Sequence, residues 1–284
     1  MNKMSNVVKA SLHNHSIYSG NSASQRCTLE RMIEKAFDVD LQILAITDNN
    51  SDRSIDLILA NSSKMKYSIT DFDDRGIIIN KKEHELCLIR GAEIFTDKGH
   101  ILSIGHEGKM CFNKKHDLFD ILGEIKDRGG LAIPAHILHT QIGGMKKETL
   151  LEIIDYIDAV ETFNAYNIKV FPRMIDATRF NLLAKKFSQE YHIPGIASSD
   201  SHHIDQIDRA YVLFNKDKLN YSSGKKFVDS IRTSLQNNEF KNYESYVPKV
   251  EIMRWILSIN INPIKKVKNL TNLLRKELLG YFVN

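Results

Sequence analysis

The chain has little cysteine, no long apolar run and no strong charge of either sign. Three cysteines in 284 residues, Cys27, Cys87 and Cys111, stand far apart with no CxxC among them. That argues against a disulfide framework and against a thiolate zinc site, and it suits a reducing cytoplasm. No apolar stretch approaches the ~20 residues of a membrane span. The opening MNKMSNVVKASLHNHS is too polar for a secretory signal. A net charge of +4 is too mild to argue by itself for nucleic acid. Internal repeats and low-complexity segments are absent. The expectation is a soluble cytoplasmic protein with one large domain, long enough to bury a sizeable core.

What the chain does have is an alternation of strand and helix. Short apolar runs recur at 7–15, 41–47, 86–89, 101–104, 131–134, 159–162, 195–197 and 211–214. The run Leu41–Thr47, LQILAIT, is nearly continuous, as in a strand buried on both faces. Helical stretches separate many of the runs, at 28–37 (with Thr28 as N-cap), 117–128, 147–156, 172–191 and 223–236. Alternating β and α predicts a parallel sheet. Six to eight such units favour a closed barrel, so the expectation is an α/β, TIM-like barrel over residues 1–244. The charged stretch 61–85 interrupts the rhythm and reads as an excursion beside the site, a helix and a hairpin. Residues 245–284 read as a separate basic tail. From Lys218 onward there are twelve Lys/Arg against five Asp/Glu, and Ile264, Val267, Leu270, Leu274, Leu278 and Phe282 recur at helical spacing. This is a helix packing on the barrel, or less readily a nucleic-acid, membrane-surface or partner helix.

Metal-type residues sit at the strand ends. His13 and His15 close the first strand, and residues two apart on a strand share a face. Asp48 and Asn49 close the second. Glu93, His100, His136, Glu161, and the pair Asp200 and His202 follow in turn. In barrels the C-terminal strand ends form the active-site rim. Imidazoles and carboxylates converging there suit zinc, manganese or iron better than magnesium. A lone histidine means little, but chance rarely places metal-type residues at so many strand ends.

The strings SLHNHSIYS, LAITDNNS, RGAEIFTDKGHIL, LAIPAH, AVETFNA and ASSDSHH resemble the PHP family, the polymerase and histidinol phosphatase superfamily, over roughly residues 7–214. The resemblance implies a distorted (β/α)7 barrel, a multinuclear metal centre at its rim and phosphoesterase activity. It implies that His13, His15, Glu93 and Asp200 hold one metal. Glu93 would bridge to a second held also by His100 and His136, and His202 would belong to a third site. Two third-site positions depart from the family pattern: Gly20 follows Ser19, and Asn49 follows Asp48. Glycine offers no ligand, and an amide is a poorer one than imidazole. The expectation is therefore two divalent ions, with the third site absent or weak and Asn49, Asn50 or Asp52 as partial substitutes. Asp48 would orient a ligand histidine. Glu161 would support the site near His136.

Among the remaining candidates, His139 and His203 could face substrate. Arg53, Arg173, Arg209 and Lys169 could hold a phosphate. His84, His106, His116 and His192 read as solvated. The implied chemistry is attack by a metal-bridging hydroxide on phosphorus, with Glu93, Asp200 and His202 as the catalytic residues and His202 as general acid or phosphate holder. The expected substrate is a small phosphate monoester or a nucleotide. A nuclease is the nearest alternative, then a non-catalytic metal-binding module, then an amidohydrolase. Oligomeric state is left open.

Overall fold

The computed structural model of the chain describes residues 6–20, 27–112, 116–168 and 176–251. In chain order the elements are β1 (Val7–Ser11), α1 (Leu29–Asp38), β2 (Ile43–Asn49), α2 (Ser54–Ala60), β3 (Ser68–Asp71), β4 (Gly76–Lys81), β5 (His84–Thr96), β6 (Gly99–Ile104), α3 (Leu118–Asp127), β7 (Leu131–Pro134), α4 (Lys147–Glu152), β8 (Val160–Asn164), α5 (Thr178–Glu190), β9 (Gly195–Ser198), β10 (Ala210–Asn215), α6 (Gly224–Gln236) and β11 (Phe240–Glu244). Three of the helices, α1, α3 and α6, begin where the sequence offers caps. Thr28 accepts from Arg31 N, Asp117 from Phe119 N and Asp120 N, and Ser223 from Lys226 N. The apolar face of α1 buries Met32, Ile33 and Ala36.

Nine strands form one mixed sheet in the order β11-β10-β1-β2-β5-β4-β3, with β6 and then β7 continuing from the far half of β5. β8 and β9 form a separate parallel pair. Two expectations are corrected here. The sheet is not all parallel, because β6 is antiparallel to β5 and β7, and β10 is antiparallel to β1 and β11. The cause of the first reversal is local: β5 and β6 are joined by two residues, Asp97 and Lys98, which allow only a hairpin. Nor does the backbone ladder close into a ring among the described residues. Polar bonds cross the gaps instead. Asp158 N donates to Ala132 O and Ala132 N to Asp158 Oδ2, tying β7 to the start of β8. Asn242 of β11 holds Ala197 N and Gly195 O of β9.

Alternate residues of the strands face one shared interior: Val8, Ala10 and Leu12, Ile43 and Ala45, Cys87 and Ile89, Leu102 and Ile104, Leu131 and Ile133, Val212 and Phe214. Phe227, Val228, Ile231 and Leu235 of α6 join the same core. Val228 lies so close to Gly105, just past the end of β6, that a Cβ there would meet it at 2.4 Å. The helix therefore stops the end of the core that lies away from His100.

The stretch 61–85 becomes the hairpin β3–β4, paired with residues 84–89 of β5. It sits beside the half of β5 that precedes Glu93, so it is not beside the site as expected. The amphipathic helix expected within 264–282 lies outside the described residues.

Candidate metal centre

Reversal of β6 is what completes the centre. His100 stands at the beginning of its strand, not the end, paired across from Phe95. Because β6 runs backwards, its first residues reach the same rim as the ends of β5 and β7. Glu93 lies within β5 and is paired with Asn49 of β2 on one side and Leu102 on the other. His13 and His15 follow β1, His136 follows β7, and Asp200 follows β9. His136 and Asp200 hold φ of 32° and 47°, an uncommon backbone for side chains of this kind that clusters at functional sites.

Two ligand groups result: His13, His15 and Asp200, and Glu93, His100 and His136. The carboxylate of Glu93 lies between them. Its Oε1 is 2.9 Å from His100 Nδ1 and 3.0 Å from His136 Nε2. Its Oε2 faces the other way, 3.5 Å from His15 Nε2 and 3.8 Å from His13 Nε2. Asp200 Oδ1 is 3.1 Å from His15 Nε2 and 3.4 Å from His13 Nε2.

The hydrogen bonds behind the ligands fix which nitrogen each imidazole presents. Ser19 Oγ gives its one proton to Asp48 Oδ1 at 2.8 Å, so it must accept from His15 Nδ1, also at 2.8 Å. His15 Nε2 is thereby left as the lone-pair edge facing the carboxylates. Glu161 Oε1 accepts from His13 Nδ1 at 2.9 Å, which aims His13 Nε2 inward in the same way. Glu161 also receives Ser198 Oγ, His136 N and Asn164 Nδ2, so it holds one ligand by its ring and another by its backbone. Asp48 acts through Ser19. Its other bonds come from Ser16 N, Ser16 Oγ and Ser54 Oγ.

These donors fit a divalent cation. His13 Nε2 is buried with no hydrogen-bond partner, a costly state for a polar atom unless something else binds it. Burial works against charge on His13, but Asp200 and Glu161 outweigh it and raise its pKa well above 6.5. Burial is likewise outweighed at Glu93 by its histidines and at Asp200 by His13 and His15, and both carboxyls fall well below the usual range. A cluster so rich in negative charge competes for a cation or for protons.

A loop shapes the second group. His100 N donates to Gly143 O at 2.8 Å, and the ring of His100 stacks on Phe95 with centroids 3.9 Å apart. Gly144 packs on His136 so closely that a Cβ would meet His136 O at 2.2 Å. Above the centre opens a cleft of about 320 Å³. Besides the ligands it is lined by Asn49, Phe95, His139, Ile142, Tyr166, Asn167 and His202.

The remaining candidates divide. His202 lines the cleft but joins neither ligand group. Its Nδ1 donates to Asp200 O at 2.8 Å, and burial, then His15, lower its pKa to about 4. Asn49 lines the cleft with its Oδ1 buried and unpartnered. Asn50 and Asp52 do not substitute for a missing ligand. Asn50 Oδ1 accepts from Phe95 N, and Asp52 Oδ2 accepts from His106 Nε2 and Met110 N. His203 is turned away and caps Asp205 N. Arg209 pairs with Glu251, and Arg53 lies over Tyr18, so neither lines the cleft. His106 and His116 are buried, contrary to expectation, because Ser103 and Asp52 satisfy both nitrogens of His106 and a bridge from Thr96 carries His116. Lys169 and Arg173 lie outside the described residues. Sequence reading missed Ser19, Ser198 and Asn164. Their hydroxyl and amide groups carry no metal signature, and only adjacency to the motifs marked them.

Comparison with known proteins bears on the fold. The family model described as PHP-associated matches residues 178–234. The uncharacterized protein MJ0417 of Methanocaldococcus jannaschii is 25% identical over 151 residues, 51% of this chain. The match spans 60% of that relative's length. Among solved structures, PsfC from Pseudomonas syringae superposes with a TM-score of 0.60 at 12% identity, covering 92% of this chain and 98% of its own. A two-domain protein from Bacteroides vulgatus containing a predicted PHP-like metal-dependent phosphoesterase gives 0.54 at 18%, covering 84% of this chain and 65% of its own. The lesion-specific endonuclease PfuEndoQ from Pyrococcus furiosus gives 0.53 at 17%, covering 81% and 56%. At these identities the likeness is one of fold.

Proposed function

We propose that this chain, a protein of the PHP family, is a phosphoesterase that uses two divalent cations. The observation that carries the reading is the division of Glu93, whose two oxygens face two separate histidine groups. His13, His15 and Asp200 would hold one ion, His100 and His136 the other, and Glu93 both. Imidazole-rich donors suit zinc, manganese or iron. Bound in such a pair, the ions supply an acidified water and neutralise charge on phosphoryl oxygens.

The protein's own groups do the rest. Ser19 and Glu161 keep His15 and His13 in the tautomer a cation needs. His202, its Nδ1 committed to Asp200 O, presents Nε2 to the cleft as a hydrogen-bond acceptor, and it serves a phosphate or a leaving group only when that nitrogen is protonated as well. Phe95, Ile142 and Tyr166 narrow the cleft and exclude water from its wall. Asn49, with no metal-type side chain at Gly20 beside it, argues for two ions and no third.

Cleft size favours a small ester over nucleic acid. A volume of about 320 Å³ is at the lower end for small-molecule sites, and among the described residues no lysine or arginine lines it. A backbone-tracking nuclease would present such charges.

The test is metal content paired with turnover. The protein is stripped, reloaded with manganese, zinc or iron, and assayed on a phosphate monoester, a diester, and single-stranded DNA and RNA. About two ions per chain and monoester turnover abolished by Glu93→Gln are expected. Bound metal with no turnover on any substrate would sink the proposal. Consistent binding of three ions would sink its two-ion form.

A further inference from the structure

Outside the ligand set, one histidine in the cleft has its tautomer decided by a chain of bonds that begins at the backbone. Asn181 on α5 bonds both sides of one residue. Its Oδ1 accepts from Asn164 N at 3.1 Å, and its Nδ2 donates to Asn164 O at 3.1 Å. A backbone N–H can only donate and a carbonyl can only accept, so the orientation of the Asn181 amide is fixed. Asn181 Oδ1 also meets Asn167 at 2.7 Å, so the Asn167 atom there is the nitrogen. Asn167 Oδ1 then points the other way, 2.8 Å from His139 Nδ1. His139 Nδ1 must therefore carry the proton, and Nε2 is the acceptor edge.

The ring is held as firmly as the proton. It lies flat on Phe180 of α5, with centroids 4.0 Å apart and planes 13° from parallel. Asn167, Asn181 and Asn164 are all buried. Both His139 and Asn167 line the cleft. Gln141, exposed on the loop above, is the other polar side chain that reaches the ring. Asn164 also serves the metal centre, donating through Nδ2 to Asp200 Oδ2 at 2.9 Å and Glu161 Oε2 at 3.0 Å. One residue at the end of β8 thus sets both the carboxylates and the acceptor beside them.

We infer that His139 is a specificity-determining residue that accepts a hydrogen bond from a hydroxyl on the alcohol part of the substrate. The inference rests on the phosphoesterase reading and narrows it. An acceptor nitrogen repels a phosphate oxygen and attracts a hydroxyl. The cleft around it offers carboxamides from Asn49 and Asn167 and apolar faces from Phe95, Ile142 and Tyr166, a lining suited to a small polyol phosphate. A site built to bond a hydroxyl discriminates strongly against the analogue that lacks it, because its buried polar groups are then left unpaired.

The experiment uses the full chain loaded with manganese and two monoesters of similar size, glycerol 1-phosphate and n-propyl phosphate. The wild type is expected to prefer the glycerol ester by about tenfold or more in kcat/KM. His139→Phe keeps the stack on Phe180 and should lose that preference, the ratio of the two kcat/KM values falling to about one. Equal turnover of both esters by the wild type overturns the hydroxyl contact and leaves the phosphoesterase reading intact. No turnover of either, with metal bound, overturns both. A readout independent of turnover is 15N NMR of the imidazoles. His139 must be protonated on Nδ1 and not on Nε2, and Asn167→Leu must lose that state. A wild-type His139 protonated on Nε2 overturns the inference whatever the enzyme hydrolyses.

Discussion

Gly143 lies against the imidazole of His100 with no room for a side chain. A Cβ at Gly143 would stand 2.2 Å from His100 Nε2, and the glycine holds φ of +93°. The contact presses the ring onto Phe95 and turns Nδ1 toward Glu93. The glycine therefore leaves space for the ring of a candidate ligand.

Gly143→Ala is accordingly expected to displace His100 and weaken the ion held by His100, His136 and Glu93. The protein should still fold and should retain the ion at His13, His15 and Asp200. Metal analysis after dialysis should find about one ion per chain where the wild type keeps about two. Full retention of both would show that His100 tolerates the shift.

Ser19→Ala removes the acceptor that fixes the His15 tautomer. Loss of an outer partner of this kind costs roughly 10–100-fold in metal affinity. Competition against a chromophoric chelator should show that loss, and Ser19→Thr should recover most of it. An unchanged affinity in Ser19→Ala would mean that Asp200 alone orients the ring.

Arg90 is fully buried and holds Asp56 Oδ1 at 2.9 Å, Asp74 Oδ1 at 3.1 Å and the carbonyls of Asp52 and Asp74. Arg90→Met leaves those carbonyls and carboxylates without their donor. Asp56 and Asp74 keep partial contact with water, so the loss comes chiefly from the unpaired carbonyls, and a destabilisation of about 1–3 kcal/mol is expected, read as a drop in the urea midpoint. A loss below about 1 kcal/mol would show that water replaces the guanidinium.

His106 supplies a pH dependence of known sign. Burial, only partly offset by Asp52, lowers its pKa below the ordinary 6.5. The folded protein resists a proton that the unfolded chain accepts. Stability from the neutral ring is therefore complete above about 6.5 and declines as pH falls through that value toward the folded pKa. In the metal-loaded protein the urea midpoint should fall over this window, and His106→Asn should fall less. Equal slopes for the two proteins would contradict the assignment.

The sequence by itself marked the residues that the fold gathers into the two candidate ligand groups. Spacing two apart put His13 and His15 together, because the parallel bridge of Asn14 to Ser201 carries the strand's alternation past the end of β1 at Ser11. The position of metal-type residues beside apolar runs marked Glu93, His100, His136 and Asp200. The cap at Thr28 marked where a helix begins, because its side chain satisfies one of the first free N–H groups. These signals are local, and local physics writes them into adjacent residues.

Tertiary structure decided how the residues meet. The two-residue link Asp97–Lys98 fixes only that β6 runs backwards; that His100 thereby meets Glu93 and His136 at one rim is decided by the pairing of β6 with β5 and β7. That the ladder stays open among the described residues, with Asp158 and Asn242 crossing the gaps, depends on contacts between residues far apart in the chain. The same holds for Ser19 between His15 and Asp48, for the burial of His106 against Asp52, and for the tautomer of His139. A hydrogen bond's direction is set by both of its ends, and in each of these cases the other end is known only once the chain has folded.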